Sequence, residues 1–143
     1  LVASVTVETR GWALGPARHD TVAEYAIGAG SRLTHVRVRS TPGALLAAGI
    51  VKHPGVAILR REGETWGYVA SFGDQSLAQD ALGLVVFYRL DQALNRGDDG
   101  ATLYVAFRDG PIDYAFAAIW RQEPGAPSTL EALRAWLDVT LGL

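Results

Sequence analysis

The sequence contains no cysteine and no methionine, and nowhere does an apolar run approach the length of a membrane helix. Without cysteine there are no disulfides, thiolate nucleophiles or cysteine-ligated zinc, and the redox compartment stays open. Arg, Asp, Lys or Gly interrupts every apolar stretch before the roughly 18 to 20 residues that a spanning helix needs, so the expectation is a soluble globular domain. Strong charge of one sign is missing too. Thirteen Lys and Arg face fifteen Asp and Glu, a formal net charge of −2. That balance gives no electrostatic reason to expect nucleic acid or an anionic membrane as partner. A chain that opens on Leu1 and has no methionine reads as a processed or excised piece of a longer product, and 143 residues fit one domain with one core.

Catalytic signatures are equally scarce. There is no glycine-rich phosphate loop followed by Lys-Ser/Thr, no G-x-S-x-G elbow around Ser76 and no H-E-x-x-H pair, which removes the nucleotide-hydrolase, esterase and metalloprotease readings. His19, His35 and His53 lie in separate segments, so neither a metal nor a cofactor is expected. Asp98 and Asp99 lack the alternating oxygen ligands of a calcium loop. They belong to "NRGDDG", residues 95–100, which reads as a solvated polar turn whose RGD triplet is a chance match.

What is present is a succession of short alternating segments. Leu1, Ala3, Val5 and Val7 alternate with polar neighbours, the period-two signature of a half-buried strand. Residues 21–27 and 32–39 form a hairpin around Gly28-Ala29-Gly30-Ser31. Further strands are expected at 45–51, 56–59, 66–72, 82–89, 102–108 and 112–121. Strands without intervening helices predict a mainly β fold, an antiparallel β-sandwich. The exception is the C-terminus. Ser128-Thr129-Leu130-Glu131 has the pattern of a capping box, so a helix is expected over about 128–141, docked through Trp136 on a stripe with Leu130, Leu133, Leu137 and Leu141.

Two constellations and one polar connection, the last either shaping a cleft or tying the fold together, stand out. His35, Arg37 and Arg39 alternate with valines, which aligns them on one strand face, either a solvated outer surface or an anion-recognising one. "GIVKHPG", residues 49–55, ends an apolar strand on Lys52 and His53 before Pro54 breaks the ladder, either a polar strand terminus with His53 packed against the proline or a place where a rigid sheet presents an acid-base pair. Between two strands, residues 73–80 hold Gly73, Asp74, Gln75, Ser76 and Asp80, far more than a hairpin turn requires. Trp12, Trp66, Tyr68, Tyr88 and Trp120 offer flat apolar surfaces suited to sugar rings, although aromatics within strands also fill cores.

The run G-I-V-K-H-P at 49–54, the motif W-G-Y-x-A-x-x-G-x-Q-S-L-x-x-D-x-L-G-L-x-V-F-Y from Trp66 to Tyr88, and Y-x-F-x-A-x-W-x-Q-E-P from Tyr114 to Pro124 resemble a bacterial family of uncharacterised proteins. That family is encoded among enzymes degrading pectin-like and other uronate-containing polysaccharides. The resemblance spans roughly residues 25–140 and implies a galactose-mutarotase-like super-sandwich, in which this chain matches the C-terminal part of longer proteins. It implies a periplasmic or secreted, carbohydrate-active or carbohydrate-binding domain whose ligand is an oligosaccharide or other small acidic molecule. Lys52, His53, Tyr68, Gln75, Ser76, Asp80, Trp120, Gln122 and Glu123 are the polar positions that match.

The expected catalytic set is His53, Tyr68 and Lys52. In a lyase-like reaction His53 or Tyr68 would take the C5 proton of a uronate while Lys52 or an arginine steadies the developing enolate. Arg37, Arg39, Gln75, Asp80, Trp120 and Glu123 form the expected substrate-binding set, and Glu123 with Asp80 is the hydrolase variant. The alternative is a non-catalytic structural or interaction module, packed on an N-terminal partner domain or forming a homo-oligomer, for which an exposed apolar sheet face would be the sign.

Overall fold

The computed structural model describes residues 1–142 and shows ten strands and one helix. Val2–Leu14 (β1) and Ala17–Gly28 (β2) make a long hairpin, followed by Thr34–Ser40 (β3), Ala47–Val51 (β4), Ala57–Glu62 (β5) and Trp66–Asp74 (β6). Ala81–Arg89 (β7), Ala93–Asp98 (β8), Thr102–Phe107 (β9), Ile112–Trp120 (β10) and Leu130–Leu141 (α1) complete the order. The strands form a seven-stranded sheet, β1-β2-β3-β10-β7-β6-β5, and a three-stranded sheet, β4-β9-β8, with every pairing antiparallel. The fold is mainly β with one C-terminal helix, as the alternation requires.

Register explains the layering. β7 lies between β10 and β6, with Phe87 opposite both Ala115 and Tyr68, and Val86 opposite both Phe116 and Val69. Period two sends Tyr68, Ala70, Val85, Phe87, Ala115, Ala117 and Ile119 to one face, where Leu133 and Leu137 of α1 cover them. Val69, Val86, Tyr88 and Ile112 go to the other face and meet Ile50, Leu103, Val105 and Phe107 of the small sheet. The large sheet thus carries a core on each side, and each fully buried leucine contributes about 1.5–3 kcal/mol. Two glycines permit the close approaches. A Cβ on Gly83 would stand 3.1 Å from the Leu133 side chain, and one on Gly67 would stand 2.7 Å from the Tyr88 ring.

The small sheet does not cover the whole of its face. On that side of the large sheet Val5, Ile27, Phe116 and Trp120 stay 57, 38, 38 and 41 % exposed, an apolar surface left open across β1, β2 and β10.

Several local expectations need correction. The segment read as a turn at 95–100 is mostly strand: β8 runs to Asp98, because Gly97 lies beneath the Tyr104 ring and Arg96 bonds Tyr88 Oη at 3.1 Å and Glu62 at 2.9 Å. The first hairpin is longer than its alternation suggested, since a bulge with Gly11 at φ +64° carries β1 past the polar Thr9-Arg10 pair. The helix is capped by Thr129, whose side chain accepts from the Ala132 amide at 3.2 Å, so Ser128 and Glu131 do not form the capping box. Leu133 and Leu137 are the docked residues. Trp136 lies half-buried beside them, edge-on to Phe87 at 6.3 Å between centroids.

Candidate functional site

The expected catalytic set does not assemble. Lys52 follows β4 on the small-sheet side, with its Nζ 2.7 Å from Asp98 Oδ2 and Arg60 reaching the same carboxylate at 3.9 Å. The Lys52 hydrogen bond, then that of the Gly100 amide, holds the Asp98 carboxyl below its ordinary range. His53 sits exposed in the adjoining turn. Tyr68 lies in the other core, 2 % exposed beneath α1, and its hydroxyl donates to Asp138 Oδ1 at 3.1 Å. Burial, then the charge and hydrogen bond of Asp138, raises the Tyr68 pKa, so the phenol keeps its proton. With Lys52 and His53 on one side of the large sheet and Tyr68 on the other, these groups cannot flank one sugar ring. The reason is parity: Tyr68 is an even-numbered β6 residue on the helix face, a side that a strand pattern alone does not reveal.

The polar connection from Gly73 to Asp80 is assembled, but its groups are engaged with one another. Gln75 Nε2 donates to the Leu82 carbonyl at 2.7 Å and to Ser71 Oγ at 3.0 Å. Asp80 accepts from Ser76 Oγ, from Trp120 Nε1 at 2.8 Å and from Gln122 Nε2 at 2.5 Å. The Ser76 bond, followed by those of Trp120 and Gln122, holds the Asp80 carboxyl below its usual range despite the partial desolvation that pushes it up. A carboxylate so supplied with donors is an anchor, not a general acid. Glu123 pairs with Arg32 at 3.4 Å, so the Asp80–Glu123 hydrolase pair is also committed elsewhere. Leu77 is fully exposed at the tip of this connection, at 104 %.

A different group of residues comes together beside α1. His35, Arg37 and Arg39 do share one exposed face of β3, and the register places Glu24 and Asp113 on either side of Arg37. Arg37 Nε donates to Asp113 Oδ1 at 2.8 Å, while Gln92 donates to Asp113 Oδ2 at 3.4 Å and accepts from its amide at 2.7 Å. Partial burial pushes the Asp113 pKa up, but the bonds from Arg37 and Gln92 and the charges of Arg37 and Arg89 outweigh it and leave the carboxyl below its ordinary range. Across β10 and β7, Arg89 binds Asp91 through Nε and Nη2 at 3.0 and 2.8 Å and lies 6.0 Å from the centroid of the Trp66 ring, its register partner on β6.

These side chains line an open cleft of about 400 Å³, bounded by Glu24, His35, Arg37, Asp113, Arg89 and Trp66. A smaller apolar recess of about 220 Å³ continues it between Leu33, Phe87, Ala115 and Leu141 of α1, with His35 and Trp66 shared by both. The cleft joins an aromatic ring, two guanidinium groups and two carboxylates on one face of the large sheet. Among the described residues Arg37 makes its side-chain hydrogen bond through Nε alone, and the side chain is 56 % exposed, which leaves both Nη groups without a protein partner. Arg39 lies on the same strand face, outside the cleft lining. Of this set, His35 and Arg37 were singled out from the sequence as one strand face, and Trp66 was placed among the aromatics. Arg89, Asp113 and Glu24 were missed, because only the β2-β3-β10-β7 pairing brings four distant segments into register.

His19 is nearly buried against Trp12, 5.2 Å between ring centroids, with Nδ1 3.2 Å from Thr41 Oγ1. Among the described residues, no three His, Cys, Asp or Glu side chains are grouped to hold a metal ion, and no helix is long and apolar enough to cross a membrane. Comparison with curated proteins and with solved structures gives no match. Over residues 1–141 the chain matches the family described as a domain of unknown function (DUF4861), and it belongs to that family.

Proposed function

We propose that this domain binds an acidic saccharide in the cleft beside α1 and does so without acting on it. The observation that carries the reading is the placement of unspent Arg37 donors within the same cleft as the Trp66 ring. A uronate carboxylate needs a guanidinium fork, the apolar face of a sugar ring needs a flat aromatic surface, and hydroxyls need acceptors such as Glu24 and Asp113. The resemblance to proteins encoded among uronate-polysaccharide enzymes supports the same ligand class. Binding rather than turnover is favoured because the candidate acid-base groups lie on opposite sides of the large sheet.

The test is a calorimetric titration with saturated uronate oligosaccharides and with neutral ones of equal length. Uptake of the acidic series alone, weakened about 10- to 100-fold in Arg37→Ala as the loss of a charge-assisted bond implies, supports the reading. Equal affinity of wild type and Arg37→Ala, or no uptake of either series, contradicts it.

A second reading, an interaction module packed on another domain, draws support from the apolar surface left open by the small sheet. It uses the opposite face of the large sheet and does not compete with the first.

A further inference from the structure

The two edges of the large sheet are built differently. β5 is short, six residues, and carries Arg60, Arg61 and Glu62; Arg61 is tied across to Asp138 of α1 at 2.8 Å. Charge, brevity and a covering helix are the devices by which proteins keep a strand edge from pairing. β1 is thirteen residues long and uses none of them over Val2–Thr9, where Val2, Val5, Thr6, Val7 and Thr9 are β-branched and Glu8 is the single charge. Its bulge lies beyond Thr9, outside this stretch. Every residue from Val2 to Arg10 is exposed.

The direction of its free hydrogen-bonding groups follows from one contact. Ala29 donates to the Leu1 carbonyl at 2.9 Å, and Leu1 and Ala29 continue the β1–β2 register. Odd-numbered residues of β1 therefore bond to β2, and Ser4, Thr6 and Glu8 direct their amides and carbonyls outward. Ala3, Val5 and Val7 lie on the small-sheet side, continuous with the open apolar surface of Ile27 and Phe116.

We infer that Val2–Thr9 of β1 pairs antiparallel with the same strand of a second copy of this chain, making one continuous sheet across a two-fold axis. The pattern is self-complementary. With the axis at Val5 the outward amides stay in step, Ala3 meets Val7, Val5 meets Val5, and Glu8 faces Val2 rather than Glu8; with the axis at Thr6 the amides also stay in step, Val5 meets Val7, Ala3 meets Thr9, and Glu8 faces Ser4. No like charges oppose. The association closes at two copies, because the other edge is short and charged. With either axis seven residues of the stretch pair, and at about 3.3 Å each they give a seam roughly 23 Å long. With side chains on both faces this is on the order of 500 Å² per copy, below the size of stable specific interfaces, so a weak, reversible dimer is expected. The inference goes beyond both readings above, since it concerns an edge of the sheet rather than either face, and saccharide binding can fail without touching it.

Sedimentation equilibrium of the 1–143 chain between about 1 and 200 μM tests it, the upper limit being set by the weak affinity such a seam implies. A monomer–dimer equilibrium is expected. Val5→Lys, which sets ammonium groups close together across the axis while leaving the β1–β2 bonds intact, and Thr6→Pro, which removes an outward amide, should each weaken the dimer at least about tenfold. Circular dichroism should be unchanged, and Arg60→Ser on the other edge should leave the dimer as it is. A monomer throughout, assembly beyond the dimer, or a dimer indifferent to Val5→Lys in a protein that keeps its wild-type spectrum overturns the inference.

Discussion

Two polar regions of this domain resemble one another in composition and differ in what their groups are free to do. At the sheet rim, Gln75, Ser76, Asp80, Trp120 and Gln122 bond to one another and to the backbone, and Asp80 alone takes three donors. In the cleft beside α1, Arg37 spends one nitrogen on Asp113 and leaves two for solvent, over a strand face shared with His35 and flanked by Trp66. A saturated network orders the chain; an unsaturated one can take a ligand. Residue type does not distinguish the two, and spare hydrogen-bonding capacity does.

The largest way to strain the comparison is through α1, whose Leu141 lines the recess that continues the cleft. Leu137→Ala removes a fully buried side chain from the helix-side core and should cost about 2–5 kcal/mol in urea unfolding. Partial loss of the helix should open the apolar recess under Leu141 while the rim hydrogen bonds persist, which amide exchange of Gln75 and Asp80 would show. Next comes the rim itself. Gln75→Ala leaves the Ser71 hydroxyl and the Leu82 carbonyl without their partner and should destabilise by about 1–3 kcal/mol, with ligand affinity unchanged.

How much of this was legible in the sequence depends on the range of the interactions. The alternation of Val5 and Val7 or of His35, Arg37 and Arg39 is local, so the strands and the shared basic face were readable. The helix was readable from Leu133 and Leu137, although a β-branched Thr129 displaced the serine as cap and two leucines displaced the tryptophan as anchor. The cleft was not readable, because Glu24, Arg37, Asp113 and Arg89 meet only through three strand pairings that join the two halves of the chain. The misplaced trio of Lys52, His53 and Tyr68 fails for the same reason: proximity in a motif says nothing about which side of a sheet a residue faces.

A smaller effect separates the regions by pH. Folding lowers the Asp80 pKa, so its contribution to stability is complete above the unfolded value near 3.8 and is lost as pH falls through the lower folded value. The gap in melting temperature between wild type and Asp80→Asn should therefore be widest above about pH 5 and narrow towards pH 2. A gap constant with pH would mean that the carboxylate charge is not what the Ser76, Trp120 and Gln122 donors hold. The smallest structural effect is expected for Arg37→Ala, whose side chain is more than half exposed and should leave the melting temperature within experimental error.

The most direct test crosses the two regions in one experiment: melting temperature and affinity for a saturated uronate oligosaccharide, measured on Arg37→Ala and Asp80→Asn in parallel with the wild type. Arg37→Ala should melt like the wild type and lose at least about tenfold in affinity, while Asp80→Asn should melt lower and bind as the wild type does. Affinity lost in Asp80→Asn and kept in Arg37→Ala would contradict this, placing the ligand at the rim and leaving the cleft a solvated surface.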